Sequence, residues 1–594
     1  SGLGSNGGGT APESSGSWGG PYGQIRDCNI LLEKAEEYAG DKNAISHAVG
    51  TAHFFRAWQY FKLLKTYGGV PIADHSLDLT DPTLQAPRNS RYEVANFIIN
   101  DLKEAVKLLT KEKDIPDADK GKISKEAAQS FLARVALYEG TWEKYVPSIG
   151  YDLDGDGTNS GAGTAKPEGY PSVTELLTLA KTMSKDVITE AETGTFKLWN
   201  ECDSLSYYYL FNIDDAEGNI PNFKGKGKAT NKEFIIYRKY DFNIAKPNKN
   251  ISHTVIVGLA TSISQQFGES FLCRNGLPIR ICYTGNMANA QNNPQFEGYK
   301  TFVGEYRNRD YRFISCTYIP DRTFWSSRVE DGRQLTATGK PYPDPVFPQN
   351  DEVYNPGDPA YSSSCGVFKP TLRNNSTASR KYLIEGANRP SNTESADYPN
   401  LRLAEVHCIY AEATCELNGG NISDEDLDFS INKNRARARV APLTNALIAN
   451  VWDAGYWDYE QNKTVCKKMN MLDEIRRERA CELFGEGHRM DDLKRWGIAH
   501  INLVGQKLGH YVLGTAYETE KANSAQYFGE PCYYPEKYPL RYGIYEGTGK
   551  NDPDYGRSIA NDPTTLNFIQ RDYLTPLPLD QMRLNTNLKQ NPGW

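Results

Sequence analysis

At 594 residues, 39% of them hydrophobic and 24% charged, the chain is long enough for several domains or one large helical-repeat body, with apolar residues enough for a real core. A formal net charge of −8 argues against nucleic acid, whose partners present a basic stripe. No apolar run approaches the ~20 residues that span a bilayer, and eleven cysteines are too few to staple a chain of this length.

Residues 1–20 are rich in glycine and serine and read as a flexible segment. Gly2 to Gly7 matches a dinucleotide-binding glycine pattern by accident, since it follows no strand and opens no helix. Helical spacing fills 21–198. Ile25 to Tyr38 forms one helix. A longer one starts at Ile45, with Ala52, Phe55, Tyr60 and Leu63 on its buried face, and Gly68, Gly69 and Pro71 stop it. Further helices run near Arg91–Leu109, Ser124–Tyr138 and Val173–Ala191. Helix pairs at this spacing resemble tetratricopeptide repeats, although the full repeat consensus is absent.

Between 199 and 399 the helical period fades into Pro, Gly, Asn and aromatic residues, with short strand-like runs such as Phe234 to Tyr240. So long an irregular insertion reads as a functional surface on a rigid scaffold. Cys273 and Cys282 flank the turn Asn275 to Pro278, and a hairpin disulfide between them stays open as an alternative. Helical pattern returns at 400–497 as three amphipathic helices, and 498–594 is again loop-rich. Cys408 and Cys415, about 10 Å apart along one helix, are small core residues.

The run Asp473 to Glu482 is dense in carboxylates, which invites an acid–base reading. Its spacing favours a scaffold role: Glu474 with Arg477 and Arg479 with Glu482 are neighbours on a helix, and an arginine-held carboxylate is a poor general acid. Arg479 falls near Ile475 and Leu483 and requires a carboxylate if buried. No His-Glu-x-x-His, phosphate loop or nucleophile elbow occurs.

Two kinds of candidate site remain. Asp152, Asp154, Asp156 and Thr158 copy the alternate ligands of a calcium loop, with Gly157 supplying a turn. Position twelve is Gly163 where a bidentate glutamate belongs, so a structural Ca2+ would need a substitute ligand such as Glu168. The simpler alternative is an Asp/Gly loop joining two helices. For ligand binding, Trp18, Tyr283, Phe324 and Trp325 lie in irregular, polar surroundings where a ring is free to stack.

Several stretches together resemble one family. They are Arg56 to Pro71 (R-A-x-x-Y-F … Y-G-G-V-P), Ser90 to Leu102, Tyr306 to Arg312 and Arg402 to Ala413. Ile431 to Ala438, Ile475 to Gly497 (I-R-R-E-R … R-W-G) and the ending Q-N-P-G-W complete the set. These resemble the signatures of SusD/RagB-like outer-membrane nutrient-binding lipoproteins, with Tyr311 where the family has proline and Trp594 where it has tyrosine. The resemblance implies a mainly α fold: a tetratricopeptide-like scaffold bearing a large loop-rich, partly β ligand-binding insertion. It further implies non-catalytic capture of an oligosaccharide by an arc of aromatics and delivery to a SusC-like TonB-dependent transporter. Peptide capture, as in the RagB branch, is the alternative within the family; a glycoside hydrolase is the alternative from another class. A leader and a lipidated cysteine ahead of Ser1 are also implied, because Cys28 follows Arg26-Asp27 and not small apolar residues.

Overall fold

The computed structural model describes residues 9–150, 153, 161–213, 227–241, 262–301, 304–317, 376–379, 381–382, 394–515, 518, 542–562, 564 and 566–594. Ser15 opens the first helix by accepting a hydrogen bond from the Ser17 N–H. That helix, α1 (Gly16–Glu37), therefore starts well before the apolar spacing does. Residues 16–20, expected to be flexible, are helical because Trp18 sinks against Tyr22 and Tyr67, with ring centroids 5.3 and 5.2 Å away.

α2 (Lys42–Tyr67), α3 (Arg91–Leu108), α4 (Lys125–Tyr145) and α5 (Val173–Glu192) follow, each packed on the one before. Ser90 with Glu93 and Ser172 with Glu175 form capping boxes that satisfy the first N–H groups of α3 and α5. Gly68, at φ +76°, ends α2 and donates its N–H to the Leu64 carbonyl. On α2 the buried ring is Phe54, not the expected Phe55, which is 40% exposed. Ala57, Tyr60, Phe61 and Leu64 share the face of Phe54 at helical spacing, and Phe55 is rotated about 100° away from it.

The insertion and the C-terminal regions contribute small antiparallel sheets. β1 (Phe234–Arg238) pairs with β6 (Tyr398–Arg402), β2 (Ser262–Ser264) with β5 (Ser376–Ala378), and β9 (Leu508–Tyr511) with β10 (Arg557–Ile559). The largest has the order β4-β3-β7-β8, from Gln291–Asn292, Arg280–Cys282, Trp452–Asp458 and Lys463–Lys468. The β7–β8 hairpin interrupts the region expected to be helical throughout. Its Trp, Tyr, Thr and Val residues suit a pleated surface, and Asn462 at φ +49° turns the chain. Cys273 and Cys282 are separate thiols: Cys273 bridges Arg309 through its backbone, and the Cys282 sulfur sits 3.4 Å from Thr284 Oγ1. Cys408 and Cys415 are fully buried, as expected of core residues.

The remaining helices used below are α6 (Tyr311–Cys316), α7 (Leu403–Leu417), α8 (Ile431–Arg437), α9 (Met471–Glu482) and α10 (Arg489–Arg495). α7 is buried from Leu403 to Glu416 and touches α4, α5, α8 and α9. The chain's end joins the N-terminal helices: Tyr573, Leu574 and Leu577 pack into the same core as Tyr67, Leu64 and Trp142.

What locks these pieces is charge. Glu482, fully buried at the end of α9, accepts from Arg312 of α6 at 2.8 Å, from Arg402 at the end of β6 at 2.7 Å, and from Arg437 of α8. Glu233, just before β1, bridges Arg402 and Arg437, and Glu478 and Asp310 complete the shell of Arg312. Tyr311, which stands where the family's proline does, begins a helix capped by Asp310. A second knot joins α10 to α7 and α4: Arg495 holds Glu412 through two bonds of 2.7 Å, and Arg134 holds Glu405 at 2.8 and 2.6 Å. Glu474 and Arg477 pair at 3.2 Å as expected, but Arg479 turns away from Glu482 to Asp492 at 3.0 Å. It does so because Glu482 is already saturated by arginines from other elements.

Burial raises the Glu482 carboxyl, but Arg437, Arg402 and Arg312 outweigh it and hold it at about 2. Burial also raises Glu405, and Arg134 with its neighbours brings it to about 2. In contrast, burial pulls His407 and His488 down to about 4, so both are neutral in the folded chain at pH 7.

Removing one member of a buried charge cluster strands the others, so Glu482→Gln is expected to destabilise the protein by about 3–5 kcal/mol in urea unfolding. Glu37→Gln, in a solvent-exposed pair with Lys34, leaves the midpoint unchanged. The linkage runs in two stages on acidification. The unfolded chain binds protons first at His407 and His488, so stability falls as pH drops from 6.5 toward 4. It falls again as the carboxylates pass from 4.5 toward 2. Urea midpoints across this range measure it, and a curve flat down to pH 4 contradicts the histidine assignment.

Candidate functional site

α9 has two faces. Ile475, Glu478 and Glu482 recur at helical spacing and point into the ion-pair core, and Arg479 stands at the boundary, paired with Asp492 and lining the cavity. Asp473, Arg476, Arg477 and Ala480 recur at the same spacing on another side and line a cavity of about 870 Å³. That volume is in the range of small-molecule sites.

The opposite wall is the β7–β8 hairpin. Its register shifts between Asp453 and Tyr456, an irregularity that re-aims side chains, and the adjacent Tyr456 and Trp457 both line the cavity. Tyr459 lines it from the turn, which Asp458 fixes by accepting from the Glu460 N–H at 2.9 Å. Phe267, Phe484 and Trp496 add further rings. Rings with cations beside them recur: Lys467 lies 4.5 Å from the Tyr456 centroid, Lys507 4.3 Å from Tyr459, and Arg476 4.6 Å from Trp496.

The polar groups are held from behind. Arg476 reaches Glu416 of α7 at 2.9 Å, Arg477 reaches Asp453 of β7 at 2.7 Å, and Lys467 reaches Asp473 at 2.7 Å. Burial raises Asp473 and Asp492, but Lys467 in the first case and Arg479 with Arg495 in the second bring both below the ordinary aspartate value. Glu269 differs, because burial pushes its carboxyl up despite Arg557 at 3.0 Å. Burial pulls Lys507 down to about 8; its ammonium donates to the Asn502 and Val504 carbonyls at 2.8 and 2.9 Å. Chemically, this is a ring-lined, cation-rich cavity.

The residues singled out from sequence fall elsewhere. Trp18 is 6% exposed, a core ring and not a ligand platform, because α1 carries it between Tyr22 and Tyr67. Tyr283 is 52% exposed at the end of β3 and does not line the cavity. Phe324, Trp325, Asp152, Asp154, Asp156 and Thr158 lie outside the described residues. Among the described residues no group of three or more His, Cys, Asp or Glu is placed to hold a metal. Sequence reasoning passed over Tyr456, Trp457 and Tyr459. The signal was present in the aromatic cluster W-D-A-G-Y-W-D-Y, beside the charged helix that was read as scaffold alone.

Known proteins share this fold. Residues 227–594 match the profile of the SusD family, and residues 10–137 match a profile described as starch-binding associating with outer membrane. A SusD-like protein of Bacteroides ovatus is 31% identical over 131 residues, 22% of this chain and 23% of that protein. SusD-like protein P38 of Formosa agariphila is 31% identical over 127 residues, 21% of this chain and 24% of its own length. The alignments thus span about a quarter of these curated relatives. Among solved structures, a SusD-like carbohydrate-binding protein of Bacteroides fragilis superposes with a TM-score of 0.61 at 19% identity, over 99% of this chain and 88% of that one. A second SusD-like protein from the same organism gives 0.58 at 19% identity, over 98% and 86%. These likenesses show the mainly helical fold. With its profile matched across more than half the chain, the protein is a member of the SusD family.

Proposed function

We propose that this protein captures an oligosaccharide at the outer membrane without cleaving it and delivers it to a SusC-like TonB-dependent transporter. The observation that carries the reading is the cavity between the β7–β8 hairpin and α9, where Tyr456, Trp457 and Tyr459 stand among positioned polar groups. Flat amphipathic rings suit the faces of sugars, and fixed side chains select hydroxyl patterns. The N-terminal match to a starch-binding, outer-membrane-associated profile supports both ligand class and location. Among the described residues no helix is long and apolar enough to cross a membrane. Attachment through a lipidated cysteine is part of the proposal, as is the transporter partner.

Non-catalytic binding fits the cavity's electrostatics. Two of its carboxylates are held ionised by cations, which makes them poor proton donors. Glu269 is the described lining carboxyl that stays raised on balance, because burial outweighs Arg557, and it names the variant by which a hydrolase is tested.

Calorimetry against a panel of oligosaccharides, with peptides alongside, is expected to give saturable glycan binding. Tyr459→Ala is expected to weaken it about tenfold. Binding confined to peptides replaces the glycan reading with peptide capture. Release of reducing ends that disappears in Glu269→Gln makes the protein a hydrolase.

A further inference from the structure

The buried side chains of the cavity wall leave several hydrogen-bond donors unfilled among the described residues. Gln266 Nε2, Trp457 Nε1 and Arg479 Nη1 are buried donors without a hydrogen-bond partner among the described residues, Arg476 Nε has only Glu412 at 3.9 Å, and all four residues line the cavity. Trp457 and Arg479 are 7% and 4% exposed, so these donors have little recourse to bulk water. Among the described lining side chains, no fully buried carbonyl or carboxylate oxygen is left without a partner beside them. Formal charge points the same way. Eight lysines and arginines line the cavity against four lining carboxylates; acids behind the wall pair with Lys381, Arg476, Arg477, Arg479 and Arg557, which among the described residues leaves the excess to Lys507 and Arg489. Lys507, at the Tyr459 ring, spends its ammonium on two backbone carbonyls and on no carboxylate among the described residues.

A neutral sugar hydroxyl is donor and acceptor at once, so each one that accepts from the wall must also place its own hydrogen on an acceptor. A carboxylate or sulfate oxygen only accepts, and it forms the stronger charge-assisted bonds. We propose that the cavity selects acidic saccharides, bearing carboxylate or sulfate groups, over neutral ones. The anionic oxygens meet the donors of Trp457, Arg476 and Arg479, and the Lys507 ammonium adds charge beside Tyr459. This selectivity rests on the glycan-binding reading above and names the substrate class of that same cavity.

The test is calorimetry of the full chain with matched pairs: tetragalacturonate against its methyl ester, and a sulfated carrageenan tetrasaccharide against its desulfated form. Tetraglutamate serves as the acidic peptide. The acidic member of at least one pair is expected to bind about tenfold tighter or more, with the gap narrowing as salt rises. Which pair responds identifies the anion. Lys507→Met is expected to lower affinity for the acidic member about tenfold. Trp457→Phe, which keeps a ring and removes the N–H, also lowers it, whereas Lys34→Met on the exposed side of α1 does not. Equal affinities within both pairs overturn the selectivity and leave glycan binding standing. Saturable tetraglutamate binding with no saccharide response overturns both, as does the absence of any binding.

Discussion

One carboxylate shared by three guanidinium groups holds this fold together. Glu482 comes from α9, Arg312 from the insertion, Arg402 from the strand that returns the chain to the helical scaffold, and Arg437 from α8. Each charge is costly to bury alone, and each finds its partner only when the other elements are in place. The cluster thus couples the insertion to the C-terminal helices more specifically than apolar packing would, since a misplaced element leaves an uncompensated charge. Glu233, Glu478, Asp310 and Glu486 balance the surplus of arginines around it.

The same helix faces the candidate site. Because α9 spends Glu478 and Glu482 on the core, its Arg476 and Arg477 project from a backbone fixed on its other side. Side chains mounted in this way lose little further entropy when a ligand binds, which is what preorganisation means in a binding protein. Across the cavity the hairpin offers rings on a sheet edge locked by Thr464 to Asp554. Scaffold and site are two faces of one element, and the arginine-rich sequence serves both.

Local signals were legible in the sequence because their physics is local. Ser90 with Glu93, Ser172 with Glu175, and Gly68 after α2 declare helix ends within a few residues. The strand at Phe234 and the scaffold role of the charged helix were equally readable. What failed depended on tertiary partners. Trp18 lies in a glycine-rich stretch that says nothing of Tyr67. Phe55 and Phe54 differ by one helical step, which decides core against solvent. Arg479 pairs with Asp492 and Glu405, which no spacing within α9 discloses. The cavity aromatics lie inside a stretch whose family signatures are helical, so nothing in those signatures points to their hairpin.

The claim with most at stake is that the face of α9 turned away from Glu482 is a ligand surface. A crystal structure of the protein with a saccharide it binds tests it most directly. The account places sugar rings against Tyr456 and Tyr459, with ligand oxygens within hydrogen-bond distance of the Arg476, Arg479 or Trp457 nitrogens. Sugar bound instead at the exposed edge around Tyr283, with the cavity holding only water, contradicts it.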